Sequence, residues 1–352
     1  MLLQLLPTNT PESTPSIQRG SFHGAGGTLL GMQIVNVCLT IVTLGAYHFW
    51  AKAKIRRYLF SQTAFAGDRF AYHGTGKELY QGFLKAMVVF GIPYFSLGAA
   101  HSFLALPQSV DFLLQAMAAL VLFLYVPVAI VNARRYRCTR TSWRGIRFSF
   151  RGRTVDFLKL YLKGWLFTLL TLGTYYPYFQ TQRQAFLHSH TYFGNQRFQF
   201  TGHGSGLMVP FAVTLFTTYA VLCLCGLALA LQLTNAGLTL LLIPFVLGPV
   251  WVWLLGQKQK YYWDHTTFGE ARFSSSITWQ KLFGLYLGNL ALLLLTLGWA
   301  WPWVTVRNAR FFIGTLSLQG LTDLDRVLQD TTETSVTGEG LPNLLDTGFD
   351  MD

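Results

Sequence analysis

Charge is what this sequence has least of. Asp, Glu, Lys and Arg make up 12% of its 352 residues, against about 25% in a soluble domain. A chain so poor in charge cannot cover a surface that faces water on all sides, so a wholly soluble fold is excluded. Acid is scarcer still outside the C-terminal end. Eight of the 15 acidic residues lie at 321–352 beside a single base, Arg326, which leaves 26 Lys/Arg against seven Asp/Glu in the rest. Cysteine is sparse too: Cys38, Cys138, Cys223 and Cys225 form no pair with metal-ligand or disulfide-framework spacing. The opening stretch MLLQLLPTNTPESTPSIQRG lacks a basic n-region and its apolar run stops at Pro7, so no signal peptide is expected and the first long helix is expected to act as the insertion signal. No phosphate loop, dinucleotide fingerprint or serine nucleophile elbow is present. GHGSG around Ser205 has its histidine ahead of the turn and no apolar strand before it. His188, His190 and His203 come without a carboxylate. The expectation is therefore no enzyme, no metal and no cofactor.

What the sequence does have is long apolar blocks, 51% hydrophobic residues in all. They fall near 28–50, 80–105, 111–132, 156–179, 207–232, 236–256 and 280–304, each close to the ~20 residues that cross a bilayer. The fourth is the weakest, with Asp156, Lys159 and Lys163 in its first third. Basic residues follow directly after several blocks. That placement fits positive charge flanking membrane helices better than nucleic-acid binding, and no nucleic-acid partner is expected. Residues 1–20 are rich in Pro, Ser and Thr and read as disordered. Residues 21–320 read as a membrane domain built of internal repeats, and 321–352 as an acidic, disordered tail.

Two motifs recur. TLGAYHFWAKAKIRRY (Thr43 to Tyr58) returns as TLGTYYPYFQTQRQAF (Thr171 to Phe186) and TLGWAWPWVTVRNARF (Thr296 to Phe311). TAFAGDRF (Thr63 to Phe70) returns around Thr141, Thr191 and Thr266, at constant offsets of 78, 128 and 203. Thr315 to Asp323 reads as a fifth, worn copy. Alternating apolar residues around Gly67 or Asn195 predict a short β-hairpin, a turn that Glu270 fits less well. The arginine after each turn, Arg69, Arg147, Arg197 or Arg272, faces away from the phenylalanine that follows it. These four, with Arg56, Arg57, Arg134 and Arg135 of the basic runs, are candidate sites for anionic lipid. Equally, they could hold the hairpins together through carbonyls and carboxylates. HGAG at His23 and HGTG at His73 suggest an anion site at a helix start, although glycine geometry at a strand end explains them more simply. HGSG at His203 does not align with His73 under the hairpin offset. Gln33, Asn36, Asn132 and Asn289 lie inside apolar blocks. They are candidates for a polar pathway, with helix-to-helix hydrogen bonding the commoner use.

FHGAGG (Phe22 to Gly27), the Thr-Leu-Gly junction, the Thr-x-Phe-x-Gly-x-Arg-Phe hairpin and YHGTGKEL (Tyr72 to Leu79) together resemble the YjgN-like family over roughly residues 20 to 320. The resemblance implies a multi-pass protein of the bacterial inner membrane. It implies no activity, substrate or catalytic residue.

The expected fold is an α-helical polytopic membrane protein of about seven apolar helices, with repeated short β-hairpins at the membrane surface. Two topologies compete. Seven crossings would put homologous hairpins on opposite faces, an inverted repeat of the kind transporters use. If the blocks ending in Thr-Leu-Gly re-enter, all hairpins share the cytoplasmic face. We favour the second, because four related hairpins would otherwise fold in two compartments. The expected function is a transporter-like or solute- or lipid-handling membrane protein. The alternative is a non-transporting scaffold whose basic hairpin platform binds anionic lipid or a protein partner. The sequence leaves a homo-oligomer open.

Overall fold

A computed structural model describes residues 17–103, 107–232 and 234–320. The regions read as disordered, 1–20 and 321–352, therefore lie almost wholly outside the described residues. Within them the chain makes five passes of strand, helices, strand. The first runs β1 (Gln18–Phe22), α1 (Gly26–Val42), α2 (His48–Gln62) and β2 (Thr63–Phe65). The second runs β3 (Asp68–Tyr72), α3 (Gly76–Ala86), a π-helical turn into α4 (Ile92–Phe103), α5 (Gln108–Arg140) and β4 (Thr141–Trp143). The third has β5 (Ile146–Phe150), α6 (Thr154–Leu170), α7 (Tyr176–Ser189) and β6 (Thr191–Phe193). The fourth has β7 (Gln196–Phe200), a 3-10 turn at Gly204–Leu207, α8 (Met208–Ala230), α9 (Ala236–Asp264) and β8 (Thr266–Phe268). The fifth has β9 (Ala271–Ser275), α10 (Trp279–Leu295), α11 (Trp301–Gly314) and β10 (Leu316–Gln319).

The strands form one closed, antiparallel, ten-strand barrel in which each pairs with its sequence neighbours and β10 returns to β1. This corrects the expected fold. The hairpins are not separate attachments to a purely helical protein; their outer edges pair with one another, and closure removes the exposed edges that isolated hairpins would leave. It also corrects the helix count. Among the described residues four helical stretches are long and apolar enough to cross a membrane: Gly76–Ala99, Gln108–Arg140, Gly204–Ala230 and Gly237–Asp264. The other three apolar blocks each break into two short helices at Thr-Leu-Gly and return to the barrel. Every pass starts and ends on the barrel, so all hairpins lie on one face. Seven alternating crossings and an inverted repeat are incompatible with that closure.

The register shows which strand face looks inward. Phe70, Phe148, Phe198 and Phe273 sit on alternate strands, which lie about 10 Å apart along a sheet. Their neighbouring ring centroids are only 6.4, 6.5 and 6.2 Å apart, so the rings converge on the barrel axis. Trp143, Phe193 and Phe268 form the buried centre of the same cluster. In the fifth position Gly20, opposite Phe65, replaces the phenylalanine. A side chain there would collide with the Ile313 carbonyl of α11, 2.6 Å from an added Cβ.

Turn chemistry follows the glycine. Ala66–Gly67 and Arg144–Gly145 have positive φ at both central residues, as a type I′ hairpin requires. In the other two hairpins only the first central residue, Gly194 (φ 57°) or Gly269 (φ 60°), is left-handed. Asn195 and Glu270 are second in those turns and need no unusual backbone, which is why a glutamate fits.

The Thr-Leu-Gly break is the same each time. Leu44, Leu172 and Leu297 have φ near 50°, and Gly45, Gly173 and Gly298 have φ of 93°, 91° and 87°. The glycine N–H reaches back to the carbonyl of Thr40, Thr168 or Leu293 at 2.7–2.8 Å. The threonine hydroxyl donates to Leu39, Phe167 or Leu292 at 2.7 Å and accepts the N–H of Tyr47, Tyr175 or Ala300 at 2.9–3.1 Å. The turn thus satisfies its own polar backbone groups, which an apolar solvent demands. Each first helix has 17 residues, about 25 Å, short of the ~30 Å hydrocarbon layer. Its tip is apolar: Leu44, Leu172 and Leu297 are 97%, 81% and 90% exposed.

Candidate functional site

The barrel wall sorts the candidate arginines. Arg69, Arg147, Arg197 and Arg272 are all exposed on its outer face. They face Ala64, Ser142, Tyr192 and Thr267 across their hairpins at one register. Arg19, opposite Ser317, is exposed in the same way. Sequence reasoning missed it, although Arg19-Gly20-x-Phe22-His23-Gly24 repeats Arg69-Phe70-x-Tyr72-His73-Gly74 at an offset of 50. The five guanidinium groups form a belt with steps of about 10 Å along the wall. Arg197 also donates from Nε to the Ser189 carbonyl, and below the belt Arg144 pairs with Asp68 at the hairpin tips.

The basic helix runs divide into two sets. Arg57, Arg135 and Arg310 turn outward to the next strand-to-helix turn and donate to the carbonyls of Gly74, Gly152 and Gly24 at 3.4, 2.9 and 3.4 Å. The residue after Arg57, Tyr58, ties the helix to the turn that opened its own pass, accepting the Ala25 N–H at 2.8 Å. Tyr261 does the same with the His203 N–H at 2.9 Å. In the second pass Tyr136 donates to Glu78 at 3.1 Å, and Arg140 pairs with the same carboxylate at 3.0 Å. These tyrosines were not singled out from sequence.

The HGxG glycines are packed too tightly for a side chain. An added Cβ at Gly24 would lie 2.5 Å from the Phe22 ring, and one at Gly26 or Gly76 would lie 2.5 Å from Trp303 or Trp50. His23 Nε2 is 3.1 Å from Ser21 Oγ and His73 Nε2 is 2.8 Å from Ser142 Oγ. Both rings lie along the barrel wall.

Facing inward from the basic runs are Lys52 and Arg56 on α2, and Arg134 and Arg137 on α5. Ala53 and Tyr136 lie in one buried cluster with Leu79, which brings the two basic faces together. Burial, with Arg56 and Arg137 nearby, pushes the Lys52 ammonium down to about 8. On α7, burial and then Arg134 push the His188 imidazole down to about 3, so the ring is neutral at physiological pH. Lys52, Arg137 and His188 were not among the expected site residues.

The expected polar pathway residues are scattered. Asn36 is 2% exposed in α1, and neither its amide oxygen nor its nitrogen has a hydrogen-bond partner among the described residues. Asn289, at the corresponding place in α10, donates to Asn308 Oδ1 at 2.7 Å while its own oxygen is unpartnered among the described residues. Gln33 and Asn132 are half-buried. The three histidines flanking the third hairpin take separate partners: His188 the Thr266 hydroxyl, His190 the Phe186 carbonyl and His203 the Thr201 carbonyl.

Sequence comparison adds relatives of known location. The chain is 35% identical over 130 residues to the inner membrane protein YjgN of Escherichia coli O157:H7. It is 33% identical over 130 and 131 residues to the proteins of the same name from Escherichia coli K12 and Salmonella typhimurium LT2. Each match covers 37% of this chain and 30% of the relative, so the likeness spans under a third of their length. No solved structure matches. With four membrane-length helices and relatives named for the inner membrane, the chain is a multi-pass protein of the bacterial inner membrane. Residues 17–344 match the family described as bacterial protein of unknown function (DUF898), and the chain belongs to that family.

Proposed function

We propose that this protein is a non-transporting membrane platform that binds anionic lipid headgroups through the arginine belt of its barrel. The observation that carries this reading is the single level at which Arg19, Arg69, Arg147, Arg197 and Arg272 stand exposed on one barrel, on one side of the membrane helices. We read the five passes as copies of one unit, so the belt is one binding residue multiplied around an axis. Each guanidinium can hold a phosphate with two parallel hydrogen bonds, and juxtamembrane cations gain about 1 kcal/mol each near an anionic leaflet. The test is lipid retention. Wild type purified from mixed-lipid nanodiscs should enrich phosphatidylglycerol and cardiolipin over phosphatidylethanolamine. Replacing the five belt arginines by glutamine should abolish the enrichment and leave the folded fraction unchanged. Equal enrichment in that variant would sink the proposal.

A second reading, a solute-handling pathway, is favoured by the unpartnered, buried carboxamide of Asn36. A polar group left so costs about 1–3 kcal/mol. If Asn36 serves only packing, Asn36→Leu raises the unfolding midpoint and changes no flux. Loss of anion flux in proteoliposomes, with the fold kept, would favour the pathway.

A further inference from the structure

The helices that return to the barrel carry a polar residue at one constant height. Lys54, Asn132, Gln182, Gln257 and Arg307 each stand nine residues before the first residue of β2, β4, β6, β8 or β10. On the outgoing helices, Lys85 and Lys163 stand nine residues after Gly76 and Thr154, the first residues of α3 and α6. At 1.5 Å per residue all seven lie about 13 Å below the barrel rim. Lys54, Lys85, Lys163, Gln182 and Arg307 are exposed there. A Cβ added at Gly288, nine residues after Trp279 at the start of α10, would lie 2.9 Å from both Nη atoms of Arg307. The guanidinium therefore lies across α10 at that same height, and the seven residues form a polar collar.

The long helices show what the collar marks. In α5, residues 112–131 carry no charge, and Asp111 and Asn132 bracket them. In α9, the uncharged run 236–256 lies between Asn235 and Gln257. Each run spans about 30 Å, the full hydrocarbon layer. The barrel-side edge of that layer therefore falls at Asn132 and Gln257, which belong to the collar. Charged side chains collect at such an edge because deeper placement costs free energy.

The collar in turn fixes the depth of the three short passes. Lys54, Gln182 and Arg307 are each six residues from the start of α2, α7 or α11, about 9 Å. The Thr-Leu-Gly turn lies just beyond, so the exposed Leu44, Leu172 and Leu297 end near the centre of a ~30 Å layer. Among the described residues ten helical stretches leave or reach the barrel, with α3 and α4 counted as one, and only four are long enough to cross. Six helix cross-sections, each about 10 Å wide, thus occupy the barrel-side leaflet alone.

We propose that this asymmetry makes the protein a one-leaflet wedge. The tips of the three short passes seat against acyl-chain ends at the bilayer centre, and the protein favours membrane that is convex on the barrel side. The arginine belt lies one residue beyond the rim, about a Debye length above the headgroups, and takes no part in this inference.

The test uses the full chain in a background without the four native cysteines. Leu44→Cys, Leu172→Cys and Leu297→Cys each carry a fluorophore, in bilayers whose acyl chains are brominated at one of several depths. Quenching should be strongest with bromine near the chain ends at all three positions, and aqueous iodide on either face should not quench. Strongest quenching by bromine near the headgroups, or quenching by iodide from the face opposite the barrel, overturns the one-leaflet depth. Curvature is read separately through Gln196→Cys at a hairpin tip, reconstituted by one procedure into small and large vesicles of the same lipid. An impermeant maleimide should report a ratio of outward to inward barrels several-fold higher in the small vesicles. Equal ratios, with the thermal midpoint kept, overturn the curvature preference. Lipid retention by the belt can fail without altering either result.

Discussion

At the residue scale, arginines that look equivalent in sequence do two kinds of work. Arg57 and Arg135 follow Arg56 and Arg134 directly, and no composition rule separates them. A rotation of 100° per residue does: one of each pair faces the next strand-to-helix turn and the other faces inward. Arg135→Gln leaves the Gly152 carbonyl without its 2.9 Å donor. It is expected to cost about 1–3 kcal/mol, measured as a lower midpoint in denaturant unfolding in micelles. Arg69→Gln on the exposed belt should change stability by less than about 0.5 kcal/mol. An equal loss at both positions would mean that the belt, too, is structural. Sequence did reveal that these positions recur, because the offsets are constant. It could not reveal what each side chain touches, since Gly74 and Gly152 lie 17 residues beyond their arginines across a chain reversal.

At the element scale, the Thr-Leu-Gly junction was legible as a helix break, and the reason is now local. Two consecutive left-handed residues reverse the chain, and threonine satisfies backbone groups on both sides. No neighbour lies within 4 Å of a Cβ added at Gly45. The cost of Gly45→Ala is therefore conformational and should be about 1–2 kcal/mol. Thr171→Val removes the acceptor of the Tyr175 N–H and should cost a comparable amount, about 1–3 kcal/mol. Thermal unfolding of each variant checks both, and a neutral Gly45→Ala would show that the tip relaxes. What stayed illegible was the pairing between hairpins. Alternation in Thr63–Phe65 or Asp68–Tyr72 marks a strand with two faces. It carries no information on which strand lies along the outer edge, and that edge pairing turns four hairpins into a barrel.

At the scale of the whole molecule, closure depends on the two ends of the described chain. β1 and β10 pair through Gln18 with Leu318 and Arg19 with Ser317, so they complete a fifth hairpin whose turn is missing. The worn copy expected from Thr315 supplies one strand of it, and residues ahead of the first helix supply the other. One consequence concerns sidedness. Gln62→Cys and Gln196→Cys, in a background without the four native cysteines, should both resist an impermeant maleimide in intact cells and react once the cells are opened; labelling of only one would break the one-face arrangement. The other consequence is a permutation. Joining Gly320 to Ile17 through a short turn, and opening the chain between Arg144 and Gly145, exchanges one hairpin tip for another. Every strand pair of the barrel is retained, since the new ends fall in a turn outside the ladder. The circular permutant is expected to insert and to keep an unfolding midpoint within a few degrees of wild type. Deleting residues 1–22 instead removes β1 and exposes the edges of β2 and β10, and should yield aggregated protein. If the permutant fails while the deletion folds, the barrel does not depend on β1, and the two ends contribute no fifth hairpin.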